Sequence, residues 1–117
     1  MKYMLLMYWN DAEAPKPDTE EFQAIAPQTW FDYLNEVKAA GVLLDNNGLS
    51  PVADATTVRV RNGKTLTTDG PFAETHEHLG GYFLLDCNDL DEALHWAEKI
   101  PSAKYGSIEV RPLWSAQ

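Results

Sequence analysis

Cysteine is almost absent. The single Cys87 in 117 residues excludes an internal disulfide and any cysteine-rich zinc site, and it fits a reducing compartment. Basic residues are scarce as well: nine Lys and Arg stand against eighteen Asp and Glu, a formal charge of -9. Such a surface repels phosphate backbones and anionic membranes, so neither nucleic acid nor a membrane is the expected partner. Long apolar runs are missing too. The apolar stretch near the start ends at Asn10-Asp11, too short to span a bilayer and without a small-residue cleavage site, so a cytoplasmic location is expected. No repeat or low-complexity tract occurs. What the chain does have is a 44% hydrophobic content, enough for one ordinary domain over residues 1–117 with a core of its own.

Hydrophobic spacing divides the chain into elements. Tyr3, Leu5, Met7 and Trp9 alternate with Met4, Leu6 and Tyr8, which predicts a strand that is apolar on both faces. Pro15 and Pro17 mark an exposed connection. Asp18-Thr19-Glu20-Glu21 has the form of a capping box, and Phe22, Ile25 and Ala26 open a stripe that continues at Trp30, Tyr33, Leu34 and Val37. Pro27 interrupts that stripe, so a short helix followed by a main helix starting near Pro27 is expected, with Gly41 as the stop. Val42 to Leu44 reads as a short strand, and Asn46-Asn47-Gly48 as a reversal within a turn-rich stretch from Asp45 to Pro51. Asn62-Gly63 joins Thr56–Arg61 to Lys64–Thr68 as a β-hairpin. Gly80-Gly81 leads into a central strand at Tyr82 to Leu85. Asp89-Leu90-Asp91-Glu92 caps a second helix with its stripe at Leu90, Ala93, Leu94, Ala97 and Ile100, closed by Pro101. Ser107 to Trp114 alternates as a last strand.

The order β-α-β, hairpin, β-α-β predicts an α+β fold, a ferredoxin-like sandwich with both helices on one face of a mainly antiparallel sheet and an inserted β-hairpin. Two helices cover one face. The strands at 2–9 and 82–85 are apolar on both, which predicts a homodimer whose free sheet faces meet around a partly polar cavity.

Asp69-Gly70-Pro71-Phe72-Ala73-Glu74-Thr75, Leu79-Gly80-Gly81-Tyr82 and Asp89-Leu90-Asp91-Glu92-Ala93 resemble the YCII-related, or DGPF-domain, family. Met1 to Leu6 and Glu109-Val110-Arg111-Pro112 are similar to it as well, so the likeness covers nearly the whole chain. It implies a ferredoxin-like, dimeric α/β-barrel fold. One branch of the wider family is implicated in dechlorinating aromatic intermediates through a His-Asp pair whose histidine lies on the first helix. Here that helix, Pro27 to Ala40, has no histidine, and the dyad does not carry over. Family members often sit beside sigma factors of the extracytoplasmic-function class, which implies a link to regulation.

Several side chains are candidates for chemistry. Glu74, His76 and His78 fall at every second position and would point one way on an extended segment, as a metal site requires. The family pattern places lysine at His76, a residue that does not normally ligate metals, so neither a metal nor a cofactor is expected. Asp69 either caps the reversal it begins by accepting backbone amides or acts with His76 in proton transfer. Tyr8, Glu74, Tyr82, Glu109 and Arg111 are the candidate ligand-binding groups, the last two on the cavity side of the final strand if Ile108 and Val110 face the helices. Arg59, Arg61 and Lys64 share one hairpin face, either as a solvated surface or as an anion site. His95 and Cys87 are expected at the surface and in the core respectively, and the four tryptophans as core or interface anchors. Two functions stay open. One is a cofactor-free acid/base enzyme, an isomerase, lyase or dehydrochlorinase acting on a small anionic cyclic metabolite in the dimer cavity. The other is a non-catalytic ligand-binding or protein-interaction module linked to sigma-factor regulation.

Overall fold

The computed structural model describes residues 1–10, 12–14, 19–20, 27–72 and 75–114. Along the chain lie β1 (Lys2–Trp9), α1 (Pro27–Ala39), β2 (Leu43–Gly48), a 3-10 turn at Val52–Asp54, β3 (Thr56–Arg61) and β4 (Lys64–Asp69). Then come β5 (His78–Asp86), α2 (Leu90–Glu98), a second 3-10 turn at Pro101–Lys104 and β6 (Ser107–Pro112). The fold is α+β. One sheet has four strands in the order β2-β5-β1-β6, every neighbouring pair antiparallel, and β3-β4 forms a separate two-stranded sheet.

The alternation of β1 sets the layering. Tyr3, Leu5 and Met7 are buried, and the register lines them up with Leu85, Phe83 and Gly81 on β5 and with Pro112, Val110 and Ile108 on β6. Against this face pack Tyr33 and Val37 of α1, Ala93, Trp96 and Ala97 of α2, and Cys87 and Ile100, all in one apolar cluster. Burying aliphatic and aromatic side chains from both helices on one sheet face is the main stabilising term, about 1.5–3 kcal/mol for each fully covered large side chain. The helices are also tied to each other: Tyr33 donates its hydroxyl hydrogen to the Trp96 carbonyl at 2.9 Å, and Lys99 pairs with Glu36. Burial, with the nearby Cys87 and Glu36, pushes the Tyr33 phenol above its ordinary range, so it stays a neutral donor.

Helix boundaries follow local chemistry. Pro27 begins α1, where its missing amide hydrogen costs nothing, and Gly41 at φ 75° ends the turn beyond Ala39. Asp89 caps α2 by accepting from the Glu92 amide at 2.9 Å, while the Glu92 carboxylate reaches back to the Asn88 amide at 3.1 Å. The capping box at Asp18 and the apolar positions Phe22, Ile25 and Ala26 lie outside the described residues.

Two boundaries differ from those expected. Asn46-Asn47-Gly48 does not reverse the chain but continues β2, opposite Phe83, Tyr82 and Gly81. The polar side chains are tolerated in the strand because Asn47 finds a partner across it in Tyr82. β5 likewise starts at His78 and runs through Gly80-Gly81. The pairing with β1 shifts between Met7 and Tyr8, and the Trp9 ring occupies the place a side chain on Gly80 would need. Glycine is therefore a packing requirement in this strand, as where an aromatic ring covers a cross-strand glycine. Of the tryptophans, Trp96 is buried and Trp9 and Trp30 pack at the edge of the core, whereas Trp114 is exposed.

Candidate functional site

The sheet face away from the helices is an apolar strip with polar margins. Its register gives two cross-strand rows, Asn47-Tyr82-Leu6-Glu109 and Asp45-Leu84-Met4-Arg111, with Tyr8 opposite Leu79 and Ser107 beyond them. Met4, Leu6, Tyr8, Tyr82 and Leu84 are half-buried, and Asp45, Asn47, Glu109 and Arg111 are exposed. On the β2 side the Tyr82 hydroxyl donates to Asp45 Oδ2 at 2.7 Å and accepts from Asn47 Nδ2 at 2.9 Å. On the β6 side Arg111 Nη2 donates to Glu109 Oε1 at 2.6 Å, so much of its charge is already answered.

The helix side holds two adjoining hollows. A groove of about 370 Å³ opens between the start of α1 and the edge of the sheet, walled by Pro27, Trp30, Phe31, Leu34, Asn46 and Phe83. A second hollow of about 210 Å³ shares Trp30, Asn46 and Phe83 and adds Met7, Trp9, Asn47, Gly48, Gly80 and Tyr82. The lining is aromatic and aliphatic with two amides, the composition of a small-molecule site, and among the described residues no Lys, Arg or His lines either hollow. The sequence reading missed Trp30, Phe31, Leu34, Asn46 and Phe83 as site residues. One signal was available. Phe31 sits off the buried stripe of α1, and a large aromatic there has no core to fill; it is 60% exposed.

Of the residues singled out from sequence, Tyr8, Tyr82, Glu109 and Arg111 come together on the open face. Asp69 does not join them. It ends β4 opposite Thr56 on the separate hairpin, exposed. Among the described residues it accepts no backbone amide either: the reversal rests on Gly70 at φ 91°, whose amide donates to the Ala55 carbonyl at 2.6 Å and whose carbonyl accepts from Thr57 Oγ1 at 2.8 Å. His76 lies in an exposed bend with Nε2 2.9 Å from Glu13 Oε1. Glu74 lies outside the described residues.

Thr75 to Glu77 is bent, Thr75 donating to the Glu77 carbonyl at 2.5 Å, so the extended geometry that would align His76 with His78 is not present. His78 starts β5 with Nδ1 3.4 Å from Thr75 Oγ1, and Glu77 accepts from Ser107 Oγ at 2.9 Å. Among the described residues no three His, Cys, Asp or Glu side chains stand close enough to share an ion. His95 is exposed on α2, and Cys87 is buried, its thiol pushed up to about 11 by burial and the Glu92 carboxylate. Arg59 and Arg61 lie on one hairpin face with Lys64, which stands opposite Arg61.

The domain profile of the YCII-related family matches residues 1–117, the whole length of the chain. This protein belongs to the YCII-related family. An uncharacterised protein of Rhizobium meliloti (strain 1021) is 51% identical to it over 115 residues, which span 97% of this chain and 92% of the relative. No helix among the described residues of this YCII-related chain is long and apolar enough to cross a membrane.

Proposed function

We propose that this YCII-related protein binds a small, flat, ring-containing molecule in the groove beneath α1, working as a homodimer of ferredoxin-like subunits whose open sheet faces pair into a dimeric α/β barrel. The groove of about 370 Å³ between Trp30, Phe31 and Phe83 carries the reading. Aromatic walls suit a planar ring, and the Asn46 amide offers one donor and one acceptor to orient it. The homodimer reading is supported by the half-buried strip of Met4, Leu6, Tyr8 and Leu84, which neither α1 nor α2 covers. An anionic ligand has less support, since Arg111 is bonded to Glu109 and none of the described residues lining the groove is a cation.

The test is a thermal-shift screen of small cyclic compounds, in which a ligand at a hundred times its dissociation constant stabilises by about 2.7 kcal/mol. Phe31→Ala should abolish the shift while leaving the unliganded melting temperature nearly unchanged, because Phe31 is largely exposed. If no cyclic compound raises the melting temperature, or if Phe31→Ala binds as tightly as the parent, the reading falls.

The 2.7 Å bond from Tyr82 to Asp45 favours a second reading, acid/base turnover of a ligand held on the open sheet face. There the Tyr82 hydroxyl, which donates to Asp45, can relay a proton, passing its own to the Asp45 carboxylate as it takes one from the ligand. That chemistry replaces the proposed pair of Asp69 and His76, which stand apart on the hairpin and on Glu13. Under this reading Tyr82→Phe lowers turnover without lowering affinity; under simple binding it changes neither.

A further inference from the structure

Among the described residues the β3–β4 hairpin is a two-stranded arm that pairs with no strand of the main sheet. Its strands pair without a bulge from Thr56 and Asp69 to Arg61 and Lys64, although a two-stranded ribbon alone in water is only marginally stable. One face carries Thr56, Val58 and Val60 beside Thr65 and Thr67, and the two valines are 60% and 59% exposed. The other carries Arg59, Arg61 and Lys64 around Leu66. The root is fixed: Thr57 Oγ1 donates to the Gly70 carbonyl at 2.8 Å and Arg59 Nη2 to the Phe72 carbonyl at 3.0 Å. The arm leaves the body between β2 and β5, two strands of the open face, and joins no ladder with them. The radius of gyration is accordingly 16.4 Å, against about 13 Å for a compact chain of this length.

We propose that this hairpin clasps a second copy of the chain by entering between its elements, one face packing Val58 and Val60 on the partner while the opposite face carries Arg59, Arg61 and Lys64 toward its acidic surface. The clasp rests on the homodimer reading given above. Charge selects the occupant. Three of the chain's nine basic residues but only one of its eighteen acidic residues lie between Thr56 and Asp69, so a net-positive arm projects from a strongly acidic body. Asp32 and Glu36 on α1 and Asp91 and Glu98 on α2 are exposed on that body. Opposite charge on arm and body steers two identical chains together and fixes their orientation, and twofold symmetry engages both arms at once.

The experiment compares the full chain with Val58→Thr/Val60→Thr, which keeps the β-branched shape and the strand pairing while making the face polar, and with Leu6→Lys on the open sheet face. Sedimentation equilibrium should show a dimer whose dissociation constant rises about tenfold or more in the double valine variant, with the far-ultraviolet circular dichroism unchanged. Trypsin should cut after Arg59, Arg61 and Lys64 about tenfold more slowly where the dimer is full than where it is dissociated. A dimer that survives the valine changes and is cut as fast as the monomer overturns the clasp and leaves the sheet pairing standing. A dimer that survives Leu6→Lys but fails with the valine changes upholds the clasp and overturns the sheet pairing. A chain that is monomeric at every concentration overturns both.

Discussion

Replacing Gly81 with alanine should destabilise the protein, and the geometry fixes both sign and size. A Cβ at this position would stand 2.7 Å from the Asn47 carbonyl oxygen, 2.7 Å from Met7 Cε and 3.3 Å from Gly48 Cα. Met7 Cε is the end of a flexible side chain and can swing aside. The Asn47 oxygen is backbone and can retreat only if β2 pulls away from β5. Overpacking of this kind costs about 1–3 kcal/mol, and alanine returns about 0.4–1 kcal/mol by restricting the unfolded chain. The net loss is about 1–2 kcal/mol, which lowers the melting temperature by about 3–10 °C in a domain of this length. Gly48→Ala is the internal control. It lies opposite Gly81 in the register, and a Cβ there meets nothing within 4 Å. Scanning calorimetry should therefore find Gly48→Ala level with the parent or slightly above it. If Gly81→Ala melts no lower than the parent, or Gly48→Ala melts equally low, the close approach of β2 and β5 is not what holds Gly81 in place.

Two further outcomes follow from the described contacts. Asp89→Ala removes the side-chain acceptor for the Glu92 amide at the start of α2, and should cost about 1 kcal/mol in urea denaturation, most of it recovered by Asp89→Asn. Cys87 is an acid whose folded value is raised, from 9.0 to about 11, so the folded state keeps the proton longer. Its contribution to stability is complete below pH 9 and is lost as the pH climbs through 11, a slope that Cys87→Ala should lack in denaturant titrations. At pH 8 the same shift should slow alkylation about 100-fold relative to the unfolded thiol.

What was legible in the sequence was whatever repeats with a period. The alternation of Tyr3, Leu5 and Met7 against Met4, Leu6 and Tyr8 already marked β1 as a strand apolar on both faces, and the register carries the first set into the helix-facing core. Asn62-Gly63, Gly41 and the Asp89 cap were readable because each solves a local backbone problem that few residues can solve: positive φ at Asn62, Gly63 and Gly41, and an orphan amide at Glu92. β2 was not legible past Leu44. Asp45-Asn46-Asn47-Gly48 has turn composition, and only a cross-strand partner, Tyr82, makes Asp45 and Asn47 acceptable on a strand. That one misplacement hid the groove, because Asn46 can be seen to face Trp30 and Phe83 only once it is known to lie in β2. That Asp69 and His76 stand apart was not legible for a related reason. Proximity between a hairpin and a bend is a tertiary fact, and no local period encodes it.

The two sides of the four-stranded sheet ask different things of the same strands, and β2 is where the demands meet. On the helix side it must leave room, so Asn46 faces a gap beside Trp30 where a large apolar residue would close the groove. On the open side it must supply polar groups, and Asp45 and Asn47 hold the Tyr82 hydroxyl between them. A strand that alternates in this way is poorly stabilised by burial of its own side chains. Its position depends on backbone pairing with β5, and the two glycines Gly48 and Gly81 stand opposite each other where that pairing is closest. Ligand contact with Asn46 and movement of Tyr82 are then coupled through a single edge strand whose only ladder among the described residues is to β5. A ring compound that wedges Asn46 away from Phe83 should therefore perturb the Tyr82 hydroxyl as well. A Tyr82 ring resonance that shifts on ligand addition in the parent but stays fixed in Phe31→Ala would carry that coupling, and a Tyr82 signal indifferent to a bound ligand would break it.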